Sequence, residues 1–259
     1  MEGMNGDGKK CRHSLNPAEK RRERWLEPGG EAPGTGAGTR RKSAGNGGKQ
    51  IAMAKRAYSP KEIAAKTYKC LPWGEKWSGP FGEPEVTSTW FVCGKSASGK
   101  SSFVMQLAKC LCEFGTVLYV SYEEGVTLPF HERMARFKMN EVQGKFRVVT
   151  DDTLEELTAR LAKPKSPQFV IIDSFQYAGW TYQQAFDLVQ RFKRKSFIFV
   201  SQEAKGQPLG KAAVRLRYMA DVKVWVAGYK AYCQGRFNGD PGTYYPVWEE
   251  GILRTTNNL

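Results

Sequence analysis

Residues 89–101 read Thr89-Trp90-Phe91-Val92-Cys93-Gly94-Lys95-Ser96-Ala97-Ser98-Gly99-Lys100-Ser101. A short apolar run that stops at a glycine is the pattern of a buried strand entering a turn. Downstream, Phe103, Leu107, Cys110, Leu111 and Phe114 recur at helical spacing and predict a helix over Lys100–Phe114 with one apolar stripe. Strand, glycine-bounded loop and helix are the context in which the spacing G-x-x-x-x-G-K-[ST] acquires a mechanism. Gly94 and Gly99 admit backbone angles closed to other residues, so the loop N–H groups can converge into an anion nest. The helix start adds the positive end of its dipole. The expected ligand is ATP with Mg²⁺, cradled by Gly94, Lys95, Ser96, Ala97, Ser98, Gly99, Lys100, Ser101 and Ser102. Lys100 is the cation for the β- and γ-phosphates, and the Ser101 hydroxyl is a ligand of the metal.

Outward from this loop, strands and helices alternate. Strands are expected at Thr89–Cys93, Thr116–Ser121, Phe146–Thr150, Phe169–Asp173 and Phe197–Ser201. Helices are expected at Leu128–Phe137, Leu154–Ala162 and Tyr182–Arg194. Near-continuous apolar strands separated by helices predict an α/β fold, a mainly parallel sheet covered on both faces. Val222–Ala227 and Tyr244–Glu249 read as added antiparallel strands at the C-terminal end. Asp173 closes Phe-Val-Ile-Ile-Asp, the position of a second Mg²⁺ ligand at a strand tip. Hydrolysis also needs an acid that orients or deprotonates water. Glu123 is the first choice and Glu124 the second, provided that their strand packs near the strand of the glycine loop.

The chain has 259 residues and a net charge of +14, with 41% hydrophobic residues, enough for one α/β domain and a tail. The excess of cations points to a polyanion, most simply nucleic acid. Residues 1–57 are Gly-rich and basic and are expected to be a disordered tail. Met53 offers an alternative natural start, which would make residues 1–52 an overrun. Residues 58–84 are expected to form a helix from Ser59 to about Thr67 and then an aromatic loop, Leu71–Glu85. Residues 85–259 are expected to form the ATPase domain. No run is long and apolar enough for a membrane span, and no signal segment is evident, so the expected location is the cytoplasm. Six cysteines without a C-x-x-C pair, and two histidines, argue for reduced core thiols and against zinc.

The motifs, taken in order, resemble those of RecA-like ATPases of the RadA/DnaB-like branch, and especially compact ATPases of phages and mobile elements in gut bacteria. They are Gly-Lys-Ser-Ala-Ser-Gly-Lys-Ser-Ser, Val-Leu-Tyr-Val-Ser-Tyr-Glu-Glu-Gly, Phe-Val-Ile-Ile-Asp-Ser, Phe-Ile-Phe-Val-Ser-Gln and Cys-Gln-Gly-Arg-Phe-Asn-Gly. The resemblance implies a RecA-like core acting on DNA in recombination, repair or phage replication, as a homo-oligomer on single-stranded DNA in a bacterial host. It makes Glu123 the catalytic acid, Gln202 a sensor of the γ-phosphate and Arg236 a finger that enters a neighbouring subunit's site. DNA contacts would come from Lys205, Lys211, Arg215 and Arg217, on a segment whose first half is made mobile by Gly and Pro, with Tyr177, Trp180 and Tyr182 as stacking faces. One departure is Gln234 where the family has lysine, a loss that implies either slower turnover or compensation by Lys230. The alternative function is an ATP-switched loader that binds a protein partner through the aromatic segment Leu71–Phe81.

Overall fold

The computed structural model describes residues 57–237 and 239–256. These fall into two units, one containing the described residues up to Thr67 and the other those from Tyr68 onward. Residues 1–56, which include Met53 and most of the expected tail, lie outside the described residues. In the first unit, α1 (Pro60–Ala64) opens on a capping box: Glu62 N donates to Ser59 Oγ and Ser59 N to the Glu62 carboxylate. The helix is shorter than expected and ends before Thr67.

The second unit runs α2 (Glu75–Phe81), β1 (Thr89–Gly94), α3 (Lys100–Leu111), β2 (Val117–Ser121), α4 (Leu128–Arg136), β3 (Phe146–Val149), α5 (Leu154–Ala162), β4 (Phe169–Asp173) and α6 (Phe175–Ala178). It continues with α7 (Tyr182–Arg191), β5 (Ser196–Ala204), β6 (Gln207–Pro208), α8 (Lys211–Met219), β7 (Val222–Ala227), β8 (Lys230–Cys233), β9 (Tyr245–Pro246) and α9 (Glu249–Thr256). The strands form one sheet in the order β3-β2-β4-β5-β1-β7-β8-β9, with β6 beside β5. Along that order every pair from β3 to β7 is parallel; β6, β8 and β9 are antiparallel additions.

Alternate residues of the central strands serve opposite faces, as the two-residue strand period requires. Trp90, Val92, Tyr119, Ile171 and Val200 pack with α3 and α4, whereas Phe91, Leu118, Val120, Ile172 and Phe199 pack with α5, α7 and α8. Both faces are thus covered, which explains why these strands are apolar throughout rather than alternating.

Three stretches depart from the sequence reading. The segment after β5, expected to be mobile in its first half and read without a helix, forms α8 in its second half, which buries Ala213 and Leu216. Because α8 is a helical crossover, β7 returns parallel to β1 instead of antiparallel. Tyr244–Glu249, expected to be a strand, pairs only at Tyr245–Pro246 before α9 begins. The aromatic loop proves to be a helix and a core element. Trp73 and Trp77 stack at 5.5 Å, Trp77 stacks on Tyr245 at 4.2 Å, and Trp73 meets Trp90 edge-on at 5.8 Å. Trp73 Nε1 donates to Gly82 O at 2.8 Å. Leu71, Trp73, Trp77 and Phe81 are therefore buried and present no docking surface. Trp77→Ala is expected to cost about 3–5 kcal/mol of stability, read as a lower midpoint in chemical denaturation; an unchanged midpoint would contradict this packing.

Cys93, Cys110 and Cys112 are buried free thiols, as expected, but Cys70 is disulfide-bonded.

Candidate functional site

The loop between β1 and α3 lies at the carboxyl edge of the parallel strands. Gly99 adopts φ +100 and Ala97 φ +59, so two left-handed residues turn the chain around the loop. Gly94 is required by a close approach: a Cβ there would fall 2.2 Å from Val226 O on the neighbouring strand β7. The β7–β8 turn braces the loop from the same side. Tyr229 N donates to Ser98 O at 3.2 Å, and Val247 N to Tyr229 O at 2.8 Å. Lys100 Nζ donates to Lys95 O at 2.7 Å, which folds the ammonium over the loop. Burial lowers the Lys100 pKa, while the charges of Glu123 and Asp173 oppose that shift. Ser98 Oγ is buried and has no hydrogen-bond partner among the described residues, an orphaned polar atom inside the loop.

Asp173 ends β4 with its carboxylate buried. The Tyr119 hydroxyl, on the adjacent strand β2, donates to Asp173 Oδ2. Burial pushes the Asp173 carboxyl up to about 6; the Tyr119 hydrogen bond works against that rise and the charge on Glu123 adds to it. Tyr119 is a site residue that sequence reasoning missed. Its only signal is a phenol in the strand Val-Leu-Tyr-Val-Ser, and nothing local distinguishes it from a core aromatic. The Asp173–Ser174 peptide bond is cis.

The structure separates Glu123 from Glu124. Their strand β2 is not adjacent to β1; β4 and β5 lie between them. The turn after β2 spans that gap. Tyr122 N and Glu123 N both donate to Asp173 O, at 2.7 and 3.2 Å, and lean the turn across β4. Glu123 Oε1 then accepts from Gln202 Nε2 at 3.0 Å. Gln202 is paired in register with Gly94, so this contact stands directly beside the glycine loop. Gln202 is itself held: its N–H donates to Gln176 Oε1 at 3.1 Å, and Gln176 Nε2 donates to Ser201 Oγ at 2.8 Å. Glu124 turns away into a two-pronged ion pair with Arg133, at 2.7 and 3.2 Å. Arg133 was not anticipated either, because its partner lies on a different element.

Arg236 lies at the opposite edge. Its Nη1 donates to Asp221 Oδ1 at 3.2 Å and its N–H to Asp221 O at 2.8 Å, while Asp221 Oδ2 accepts from Thr89 N at 3.0 Å. Thr89 starts β1 and Gly94 ends it, and five strand residues at about 3.3 Å each separate the two edges by about 16 Å. Arg236 therefore does not approach its own chain's loop, and its side chain is 71% exposed.

The basic segment is divided. Lys205, in the turn after β5, and Lys211, at the start of α8, are exposed at the carboxyl edge. Arg215 stacks on Tyr182 at 4.1 Å, and Arg217 Nη2 donates to Gln234 Oε1 at 3.1 Å. Of the expected stacking aromatics, Tyr177 is exposed, but Trp180 is a core residue edge-on to Tyr122 at 6.0 Å. Trp180 offers no free face, a correction to its expected role.

With β5 inserted between the glycine-loop strand and the strand of Asp173, the chain has an α/β fold whose mainly parallel sheet carries the glycine loop and Asp173 at one edge. Among solved structures, the chain is similar to the flagellar accessory protein FlaH from Methanocaldococcus jannaschii, with 15% identity, TM-score 0.49, and 68% of this chain and 90% of that chain covered. It is also similar to the KaiC-like protein PH0186 from Pyrococcus horikoshii OT3, with 16% identity, TM-score 0.47, and 62% and 84% covered. No family model matches the chain, and no curated protein matches it. Among the described residues, no helix is long and apolar enough to cross a membrane.

Proposed function

We propose that the chain hydrolyses ATP and does so on single-stranded DNA, as a homo-oligomer whose sites are completed across subunits. The observation that carries the ATPase reading is the Gln202–Glu123 hydrogen bond beside Gly94. It aims one carboxylate at the mouth of the phosphate loop while Arg133 holds the neighbouring one away.

The loop amides of Gly94–Ser102 and the Lys100 ammonium bind the triphosphate. The oxygen donors Ser101 and Asp173 suit a hard divalent cation and would hold Mg²⁺. Such an ion supplies charge neutralisation at the phosphates. Glu123 orients the attacking water and accepts its proton. Gln202 positions Glu123 and, lying between it and Gly94, senses whether the γ-phosphate is present. Arg236, remote from its own loop and exposed, serves a neighbour's site by stabilising charge on the transferred phosphoryl group. Lys205 and Lys211 are the best-placed DNA contacts near the site. Arg215 and Arg217, engaged with Tyr182 and Gln234, support them from α8.

Single-stranded oligonucleotide added to the purified chain with ATP and Mg²⁺ is expected to raise the rate of phosphate release, with a gain that falls steeply as salt is raised. Hydrolysis that ignores the oligonucleotide, with no binding at low salt, would remove DNA from the reading. Absence of hydrolysis under every condition would remove the enzyme.

A further inference from the structure

At the amino edge of the sheet, opposite the P-loop, two loops lie side by side. One links α5 to β4 and the other links α7 to β5. Together they line a groove of about 700 Å³. Six cations border it, Lys163, Lys165, Arg191, Lys193, Arg194 and Lys195, and no carboxylate is among its lining residues. All but Lys195 are exposed. Among the described residues, none of the six forms an ion pair.

The two loops are fastened to each other. Lys195 Nζ donates to Pro167 O and to Ser166 Oγ, each at 2.7 Å, and Gln168 Nε2 donates to Arg194 O at 2.6 Å. β4 and β5 are adjacent parallel strands, so the loops are held about one strand spacing apart, about 4.8 Å. Packing six like charges this closely is unfavourable without a counter-charge. Arg191 and Lys163 border the carbonyl ends of α7 and α5, where cations are favourable. That does not account for Lys165, Lys193 and Arg194, which lie beyond both helices.

We propose that this groove is a second nucleic-acid site, one that grips the phosphate backbone of a strand independently of the P-loop edge. The number of charges exceeds what a single phosphate needs. The lining also lacks an exposed large apolar side chain of the kind that inserts into a lipid surface, since Leu161 is buried and Phe192 is half-buried. Contacts of this kind carry no base preference and are sensitive to salt.

The test is fluorescence anisotropy of a labelled oligo-dT against the full chain, without nucleotide, across a salt series. Two variants are compared with the parent: one with Lys163, Lys165, Lys193 and Arg194 all changed to Gln, and one with Lys205→Gln and Lys211→Gln. The groove variant is expected to bind at least about 10-fold more weakly at low salt. Its log-affinity against log-salt line should be flatter by roughly 3, since each lost contact to a single strand removes about 0.7. Its ATP hydrolysis without DNA should match the parent's. Parent-like affinity and slope in the groove variant would overturn the proposal, even if the Lys205/Lys211 variant bound poorly and so upheld DNA contact at the other edge. Groove-dependent binding of phosphatidylserine vesicles without oligonucleotide binding would overturn it too. A parent that binds DNA through the groove yet never hydrolyses ATP would leave this site standing while removing the ATPase reading.

Discussion

Glu123→Gln is expected to leave ATP binding intact and to slow turnover by about 10²–10⁴-fold, the usual contribution of a positioned general base. The amide keeps the volume and can still bond to Gln202, so the turn that leans on Asp173 O should not move. What disappears is the ability to take a proton. Glu124→Gln is the matched control. It breaks a half-buried ion pair with Arg133, so its effect should appear as reduced stability with turnover largely retained. Rapid-quench measurement of phosphate release from both variants, beside nucleotide binding, checks the assignment. If the two effects were exchanged, the catalytic acid would be Glu124.

Lys100→Ala should weaken binding of labelled ATP roughly 100-fold, about 3 kcal/mol, as expected when one partner of a charge-assisted contact is truncated in a desolvated site. Equal binding by variant and parent would overturn the P-loop assignment outright. The same variant tests subunit sharing. A Lys100→Ala chain still carries Arg236, and an Arg236→Ala chain still carries Lys100. Each alone should be inactive, and mixing them should restore activity at those interfaces where an intact loop meets an intact arginine. No recovery on mixing would confine the site to one chain.

The strands and the phosphate loop were legible because buried parallel strands are apolar without interruption, and because the glycine–lysine–serine spacing has few structural alternatives. Strand order was not legible: nothing in Val117–Ser121 states that β4 and β5 will separate it from β1. The different settings of Glu123 and Glu124 are likewise tertiary, because their partners Gln202 and Arg133 come from other elements. α8 was hidden because its apolar stripe is narrow and flanked by Lys211, Arg215 and Arg217. α2 was hidden because Gly79 and Pro80 read as loop punctuation, although burial of Trp77 and Phe81 outweighs their poor helical preference. Asp173 needed only its strand, yet its partner Tyr119 could be found only in three dimensions.

The β7–β8 hairpin touches both edges of the sheet. Its turn rests against the phosphate loop through Tyr229 N and Ser98 O, and the chain leaving its open end carries Arg236 beside Asp221. Two hydrogen-bonded strands make a stiff lever, so a tilt at the turn moves the guanidinium at the far end. If Arg236 serves a neighbour's site as proposed above, filling of one chain's pocket would re-aim the group offered to the next copy. By the reciprocity of coupled equilibria, engagement of that guanidinium by the next copy would then alter the first chain's hold on its nucleotide.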